Sequence, residues 1–495
     1  MNTFAYELAA VGNMGTTENG ATKHLSTNSA IYDMFALAGA FRGRSDDDCI
    51  LKFKNAFEEN ESLAMKCLFY LRDCRGGLGE RRFFRVCFHW LCNNYPEAAK
   101  RNLIHVAEFG RWDDLIYSCL DTPLETEMLS LISNQLLAVD AFAEAPSILA
   151  KWVPSENASS AATKKAAKRI REYLHLSHSE YRHMLSTLRK RIKVTERLMS
   201  LNEWDKIDFS KLPSKAGLNY KDAFARREET AERYKEFISS KDTKVNAGTL
   251  YPYEIAEKAD KAERLDLNDP QRIAVNKYWD NQVDYFDGQP CSMICVCDTS
   301  GSMWGRPMDV SNSLGIYCAE RMKGPFGGSY ISFSSKPQII KVEGVDFVDK
   351  YSRIKRTNLC ENTDLEAVFD LLLSIADRPD VKEEDIPQKI VVISDMEIDA
   401  ATSPDFWAGE DGWSRYSAPT EMEKIRQKWL DHGHKMPNLI YWNVNARSDT
   451  ILDLGDNVTF VSGCSPTLFK SILSGKSGID LCLEVLNSAR YACIQ

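Results

Sequence analysis

Hydrophobic spacing changes character near Asp287-Gly288-Gln289-Pro290, and this change constrains the fold more than any other feature. Before it, from about Ser29, apolar residues recur every three or four positions. Ile31–Phe41, Glu61–Leu71, Arg81–Leu91, Leu124–Val139 and Tyr181–Met199 all show this spacing, which puts the apolar residues on one face of a helix. After it, short apolar runs alternate with helical stretches. Ser292–Cys297, Ser329–Phe333, Pro337–Val342, Lys389–Ser394, Asn438–Val444 and Val458–Val461 read as strands. Met308–Arg321, Leu365–Ile375, Thr420–His432 and Gly478–Ala492 read as helices. Such alternation builds a doubly wound α/β sheet, here with one antiparallel strand.

Turn chemistry separates the helices of the first part, as in Arg75-Gly76-Gly77-Leu78-Gly79 and Asn93-Asn94-Tyr95-Pro96. Ser45 before Asp46-Asp47-Asp48 reads as a helix cap. Short paired helices in series predict stacked hairpins of the HEAT or armadillo kind. The expected organisation is a polar, loosely held segment over 1–28, an α-helical repeat domain over 29–287 and an α/β domain over 288–495. A boundary at 284–291 predicts two independently folding parts, with 286–495 soluble on its own.

The chain is 44% hydrophobic and 27% charged, ordinary for a protein with ample core. No apolar run nears the roughly 20 residues of a membrane helix, and Met1–Glu7 lacks the basic and apolar regions of a signal peptide. The 14 cysteines follow no framework; Cys291, Cys295 and Cys297 read as small core residues. These features predict a reducing cytoplasm and no membrane partner. The net charge is −9, and residues 288–495 hold 21 lysines and arginines against 29 acids. This argues against indiscriminate nucleic-acid binding but leaves room for a local basic face. His175, His178 and His183 fit a helix surface as well as a ligand set.

The loop Asp298-Thr299-Ser300-Gly301-Ser302 follows a buried strand and precedes a helix. In α/β folds such loops bind ligands. Its carboxylate and hydroxyls are hard oxygen donors, suited to Mg²⁺, Mn²⁺ or Ca²⁺ rather than Zn²⁺. Downstream, Thr363 offers a hydroxyl at a helix start, and Asp395 ends a second buried strand. A dehalogenase-type phosphatase would want an acid at position 300, which is serine. The set resembles the metal-ion-dependent adhesion site of von Willebrand factor A domains: an Asp-x-Ser-x-Ser loop, then Thr, then Asp. The resemblance implies that Ser300, Ser302 and Thr363 touch the metal, with Asp298 and Asp395 holding it directly or through water. It also implies that a partner's carboxylate completes the metal shell.

Across residues 30–495 the chain resembles Ro/TROVE-related proteins. It is more similar to a poorly characterised family of plants, bacteria and phages that joins a helical region to a von Willebrand A domain. The resemblance rests on Leu71-Arg72-Asp73 with Gly76–Arg81, Phe109-Gly110-Arg111-Trp112-Asp113-Asp114-Leu115, Leu149–Ser155, Lys211–Ala216, Val391–Asp395 and Phe460–Gly463. Likeness to Ro implies a helical ring that binds noncoding RNA, with single-stranded ends entering it and duplex on a basic outer face.

The residues themselves offer a basic cluster. Lys164, Lys165, Lys168, Arg169, Arg171, Arg182, Arg189, Lys190, Arg191, Lys193 and Arg197 face only Glu172, Glu180 and Glu196 within 164–197. Such a face neutralises phosphates, and the interleaved Tyr173 and Tyr181 offer rings to unpaired bases. A solvated helix face, or one docked on the acidic domain, is the competing reading. A second patch, Arg72, Arg75, Arg81, Arg82 and Arg85, surrounds glycines but lacks the Lys-Ser/Thr of a P-loop. Arginines bridging helix pairs account for it equally well.

The expected function is therefore a non-enzymatic RNA-binding protein that takes structured RNA on its helical domain and a protein partner at its metal. The alternative is an assembly factor that uses the metal alone. A metal-dependent hydrolase is the weakest reading, because no general base accompanies the two acids.

Overall fold

Six strands of the described residues, all from after residue 290, form the main sheet. In chain order they are β3 (Met293–Asp298), β4 (Ser329–Phe333), β5 (Ile339–Lys341), β6 (Lys389–Ser394), β7 (Asn438–Asn443) and β8 (Val458–Ser462). The spatial order is β5-β4-β3-β6-β7-β8, parallel except for β5, which runs antiparallel to β4. A separate hairpin pairs β1 (Met14–Thr16) with β2 (Thr22–His24). The computed structural model describes residues 13–17, 22–144, 146–288, 290–333, 337–357, 364–397, 421–452, 457–473 and 476–495.

β3 and β6 are the central strands, and Met293–Asp298 is buried throughout, so a continuous apolar run was the right signal. The helix Arg306–Arg321 lies on β3, β4 and β6. It approaches closely at Gly315, where a Cβ would stand 2.6 Å from Cys297 Sγ. The fold is thus a helical domain of consecutively packed helices joined to a doubly wound α/β domain.

The two parts share one continuous hydrophobic core. The helix Ala30–Leu37 packs on β8, where the Tyr32 hydroxyl accepts from the Phe460 N–H at 2.9 Å. The helix Pro252–Ala262 packs on Arg306–Arg321, and the Trp279 ring stacks on Phe347 at 3.7 Å. Asp73, wholly buried, accepts from Arg490 and from the Tyr491 hydroxyl. Asn102 and Gln495 exchange hydrogen bonds of 2.5 and 2.9 Å.

Three expectations need correction. Tyr181–Met199 is not one helix: His178–Arg191 and Thr195–Ser200 are separated at Lys193, whose φ of 48° breaks the helical path. Leu124–Val139 is a helix over Glu125–Ser133 that widens into a π-helical turn over Asn134–Asp140. Part of the segment expected to be loose is tied down: Lys23 is buried, its ammonium donates to Ser448 and Thr450, and His24 bridges to Ile451. No disulfide forms among the described cysteines, and no described helix is long and apolar enough to cross a membrane.

Candidate metal centre and basic surfaces

Strand order fixes where a ligand belongs. Chain order and sheet order reverse between β3 and β6, and α/β sheets bind ligands at the carboxyl ends of the strands flanking such a switch. Asp298 ends β3, and Asp395 directly follows β6. Cys297 lies in register with Ile393, so the two acids leave the sheet side by side.

Both acids are essentially inaccessible to solvent. Asp298 Oδ1 accepts from the Ser300 N–H at 2.8 Å, and Oδ2 accepts from the Ser394 hydroxyl at 2.5 Å. The Ser300 and Ser302 hydroxyls are 2.9 Å apart on the same turn. Asp395 Oδ2 is buried without a hydrogen-bond partner, and Arg447 Nε lies 3.7 Å from it. Burial, then the neighbouring Asp395, pushes the Asp298 carboxyl up to about 7. Burial likewise raises Asp395, against the lowering pull of the Glu397 N–H, the Ser302 hydroxyl and Arg447.

Two buried carboxylates and two hydroxyls on adjacent strand ends suit a hard divalent cation. The Asp395 oxygen that accepts no hydrogen bond is the specific sign of fit, since a buried acceptor met only by a guanidinium at 3.7 Å is left under-satisfied. Thr363 lies outside the described residues. No group of three or more His, Cys, Asp or Glu side chains suited to a metal occurs among the described residues.

Sequence reasoning missed two neighbours. Glu397 is buried, and one of its oxygens accepts from the Ser448 hydroxyl at 2.7 Å. Arg447 donates to the Ser302 carbonyl at 2.5 Å. It follows β7, the next strand along, so its place at the same sheet edge becomes visible once strand order is known.

The basic cluster divides into two kinds of residue. Arg189 is spent inside the fold, donating to the carbonyls of Ala150 and Val153 at 2.8 Å and to Ser155 Oγ at 3.0 Å. Arg191 clasps the carbonyls of Asp140, Ala141 and Ala143. Arg171 pairs with Glu156 and donates to the Leu176 carbonyl. Lys165, Lys168 and Arg169 pair with Asp121, Glu172 and Glu125. The cluster therefore meets acids from outside 164–197, contrary to the expectation of three glutamates alone. Lys164, Arg182, Lys190, Lys193 and Arg197 have no carboxylate partner among the described residues. Arg182 and Arg197 line an open groove with Lys151, Glu156, Tyr181 and Glu196. His178 pairs with Glu156 rather than converging with His175 and His183.

The arginines around the glycine loop mostly bridge helices. Arg72 donates twice to Asp114, and Arg85 reaches Asp113 and Asp114. Arg75 donates to the Glu108 carbonyl, and Arg82 pairs with Asp46.

Two family profiles match the chain. The one described as domain of unknown function DUF2828 matches residues 17–128 and 139–303. The one described as domain of unknown function DUF7788 matches 292–487. The uncharacterized protein L728 of Acanthamoeba polyphaga mimivirus is 27% identical, over 96% of this chain and 88% of its own. Among solved structures, the Ro (RSR) protein of Deinococcus radiodurans aligns with a TM-score of 0.47 at 10% identity. That alignment covers 93% of this chain and 99% of that one.

Proposed function

The chain belongs to the DUF2828 family, and we propose that it is a non-enzymatic binding protein whose α/β domain holds one divalent cation and offers it to a partner's carboxylate. One observation carries this reading: Asp395 Oδ2 is buried without a hydrogen bond, with only Arg447 Nε at 3.7 Å, on the strand end next to the turn that holds Asp298, Ser300 and Ser302, at the switch point of the sheet. Asp298, Ser300, Ser302 and Asp395 would hold the ion, with Thr363 as the fifth expected contact. Bound there, Mg²⁺ or Mn²⁺ supplies positive charge and an open coordination position for an oxygen ligand. Asp298 is oriented by Ser394 and the Ser300 N–H, which fix its lone pairs. Arg447 adds a second positive group at the rim, suited to the same incoming carboxylate.

Titration of the full chain with Mn²⁺, followed by calorimetry and by melting temperature, tests the reading. A single site that stabilises the fold and is lost in Asp395→Ala is expected. Absence of any saturable Mn²⁺ site in the parent would overturn it.

A second reading, RNA binding by the helical domain, is favoured by Lys164, Arg182, Lys190, Lys193 and Arg197, which have no carboxylate partner among the described residues. The sequence resemblance to Ro-related proteins supports it too. RNA with a single-stranded end should bind more tightly than duplex DNA, with affinity falling steeply as salt rises. Chelation should leave RNA affinity unchanged, which separates the two surfaces. If low-salt binding of such RNA is absent, the metal-centred reading stands alone.

A further inference from the structure

We infer that Arg81, Arg85 and Arg111 form a binding site for a phosphate group on the helical domain. The three come from two sequence motifs that the fold brings together. Arg81 and Arg85 sit one turn apart on the helix Arg81–Asn94, hence on one face. Arg111 directly precedes the helix Trp112–Cys119, which packs on that helix.

Guanidinium groups outnumber carboxylates here. Arg85 Nη2 and Arg111 Nη2 meet at a single oxygen, Asp113 Oδ2, at 2.7 and 2.6 Å. Arg85 Nε takes Asp114 Oδ1 at 2.6 Å, while Arg72 takes Oδ2 at 2.8 and 2.6 Å. Two acids thus serve three arginines, and Arg81 is a fourth with no carboxylate partner among the described residues. Other acids nearby are committed elsewhere: Glu80 to Arg42, and Asp73 to Arg490 and Tyr491. Burial, then Arg111 and Arg85, lowers the Arg81 pKa against the raising pull of Asp113 and Asp114, so Arg81 shares one field with this cluster.

Arg85 and Arg111 are held in place. A Cβ at Gly110 would stand 2.6 Å from Asp114 Oδ2 and 2.8 Å from Arg72 Nε, so the loop before Arg111 is pinned against the clamp. Arg111 lies over the Trp152 ring at 4.0 Å, from a third motif of the sequence. Side chains of Arg85 and Arg111 remain about a quarter exposed, at 24% and 28%. An accessible excess of guanidinium charge, anchored at Arg85 and Arg111, is what a tetrahedral oxyanion requires. Because the Glu80 carboxylate is taken by Arg42, it does not cap the helix, whose first N–H groups add to the positive field. The structural clamp of Arg72, Arg85 and Asp114 is complete without Arg81, so bridging alone leaves Arg81 unexplained.

The phosphate has two possible sources, a small phosphorylated molecule or the backbone of an RNA strand. Only the second rests on the RNA reading above. Full-length parent, Arg81→Ala and Arg81→Glu are compared in three arms at fixed ionic strength: inorganic phosphate, adenosine monophosphate and a labelled single-stranded oligouridylate. Phosphate should raise the melting temperature of the parent and not of Arg81→Ala, whose unliganded melting should match or slightly exceed the parent. Arg81→Glu, which supplies a carboxylate to the excess arginines, should melt higher than the parent without phosphate and ignore added phosphate. A purely structural Arg81 would give the opposite order. An oligouridylate affinity about tenfold weaker in Arg81→Ala assigns the phosphate to an RNA backbone. A loss confined to phosphate and the mononucleotide assigns it to a small molecule and leaves the RNA reading to fail separately. If neither phosphate nor oligouridylate binding depends on Arg81, or if Arg81→Glu melts below the parent, the site does not exist.

Discussion

Asp298 shows how a single residue ties stability to the cation. Its carboxyl is pushed up from 3.8 to about 7, so the folded chain holds a proton there that the unfolded chain has released. Between those two values the metal-free protein loses stability as pH climbs, and the loss is complete above about 7. A divalent ion reverses the penalty, because it favours the charged form. Asp298→Asn should therefore bind no Mn²⁺. Without metal it should melt above the parent at pH 8 and close to it at pH 5. The gain at the higher pH is expected on the order of 1–4 kcal/mol. Melting curves in chelator at the two pH values measure it; an Asn variant that is less stable at both would show that the carboxylate is held by its hydrogen bonds alone.

Among the elements, the helices Ala161–Tyr173 and His178–Arg191 carry residues of like charge and unlike purpose. Arg189 is held by three oxygens of the 150–155 segment, and its replacement by alanine leaves buried carbonyls without donors. A loss of about 2–4 kcal/mol is expected, read by urea unfolding. Replacing Lys164, Lys190, Lys193 and Arg197 by glutamate should change stability by about 0.5 kcal/mol or less each. If these side chains hold RNA, the same four changes should cut its affinity and flatten the salt dependence. Sequence could not separate the two sets, because the acceptors of Arg189 and Arg191 are backbone carbonyls, which leave no signature in side-chain spacing. The main-sheet strands were legible because buried strands are short apolar runs bounded by turns; the edge strand β5 departs most, covering only Ile339–Lys341 of its run. Asp298 and Asp395 were legible because each ends such a run. Arg447 and the Arg72–Asp114 clamp were not, since their meeting depends on strand order and on helix packing between residues far apart in sequence.

At the scale of the molecule, the sheet is complete after residue 290, yet its flank is finished by residues from before 42. Tyr32 reaches β8, Trp279 stacks on Phe347, and Lys52 pairs with Asp449 at 2.6 Å. Separate chains of 1–286 and 286–495 should therefore associate when co-expressed. The second fragment alone should melt below the intact protein, because the faces of β8 and of the helix Arg306–Arg321 lose their cover. Failure of the fragments to co-purify, with an unchanged melting temperature for 286–495, would show that these contacts add nothing to stability. The pairing of Asp73 with Arg490 carries the same dependence into the time of synthesis. Their separation is 417 residues. At the pace of a ribosome, roughly 20–80 s pass between the emergence of the carboxylate and that of its guanidinium. Through that interval the Asp73 carboxylate lacks both Arg490 and the Tyr491 hydroxyl and keeps only local partners such as the Arg75 N–H. The hydrogen bonding around Asp73 is therefore completed only when the far end of the chain arrives.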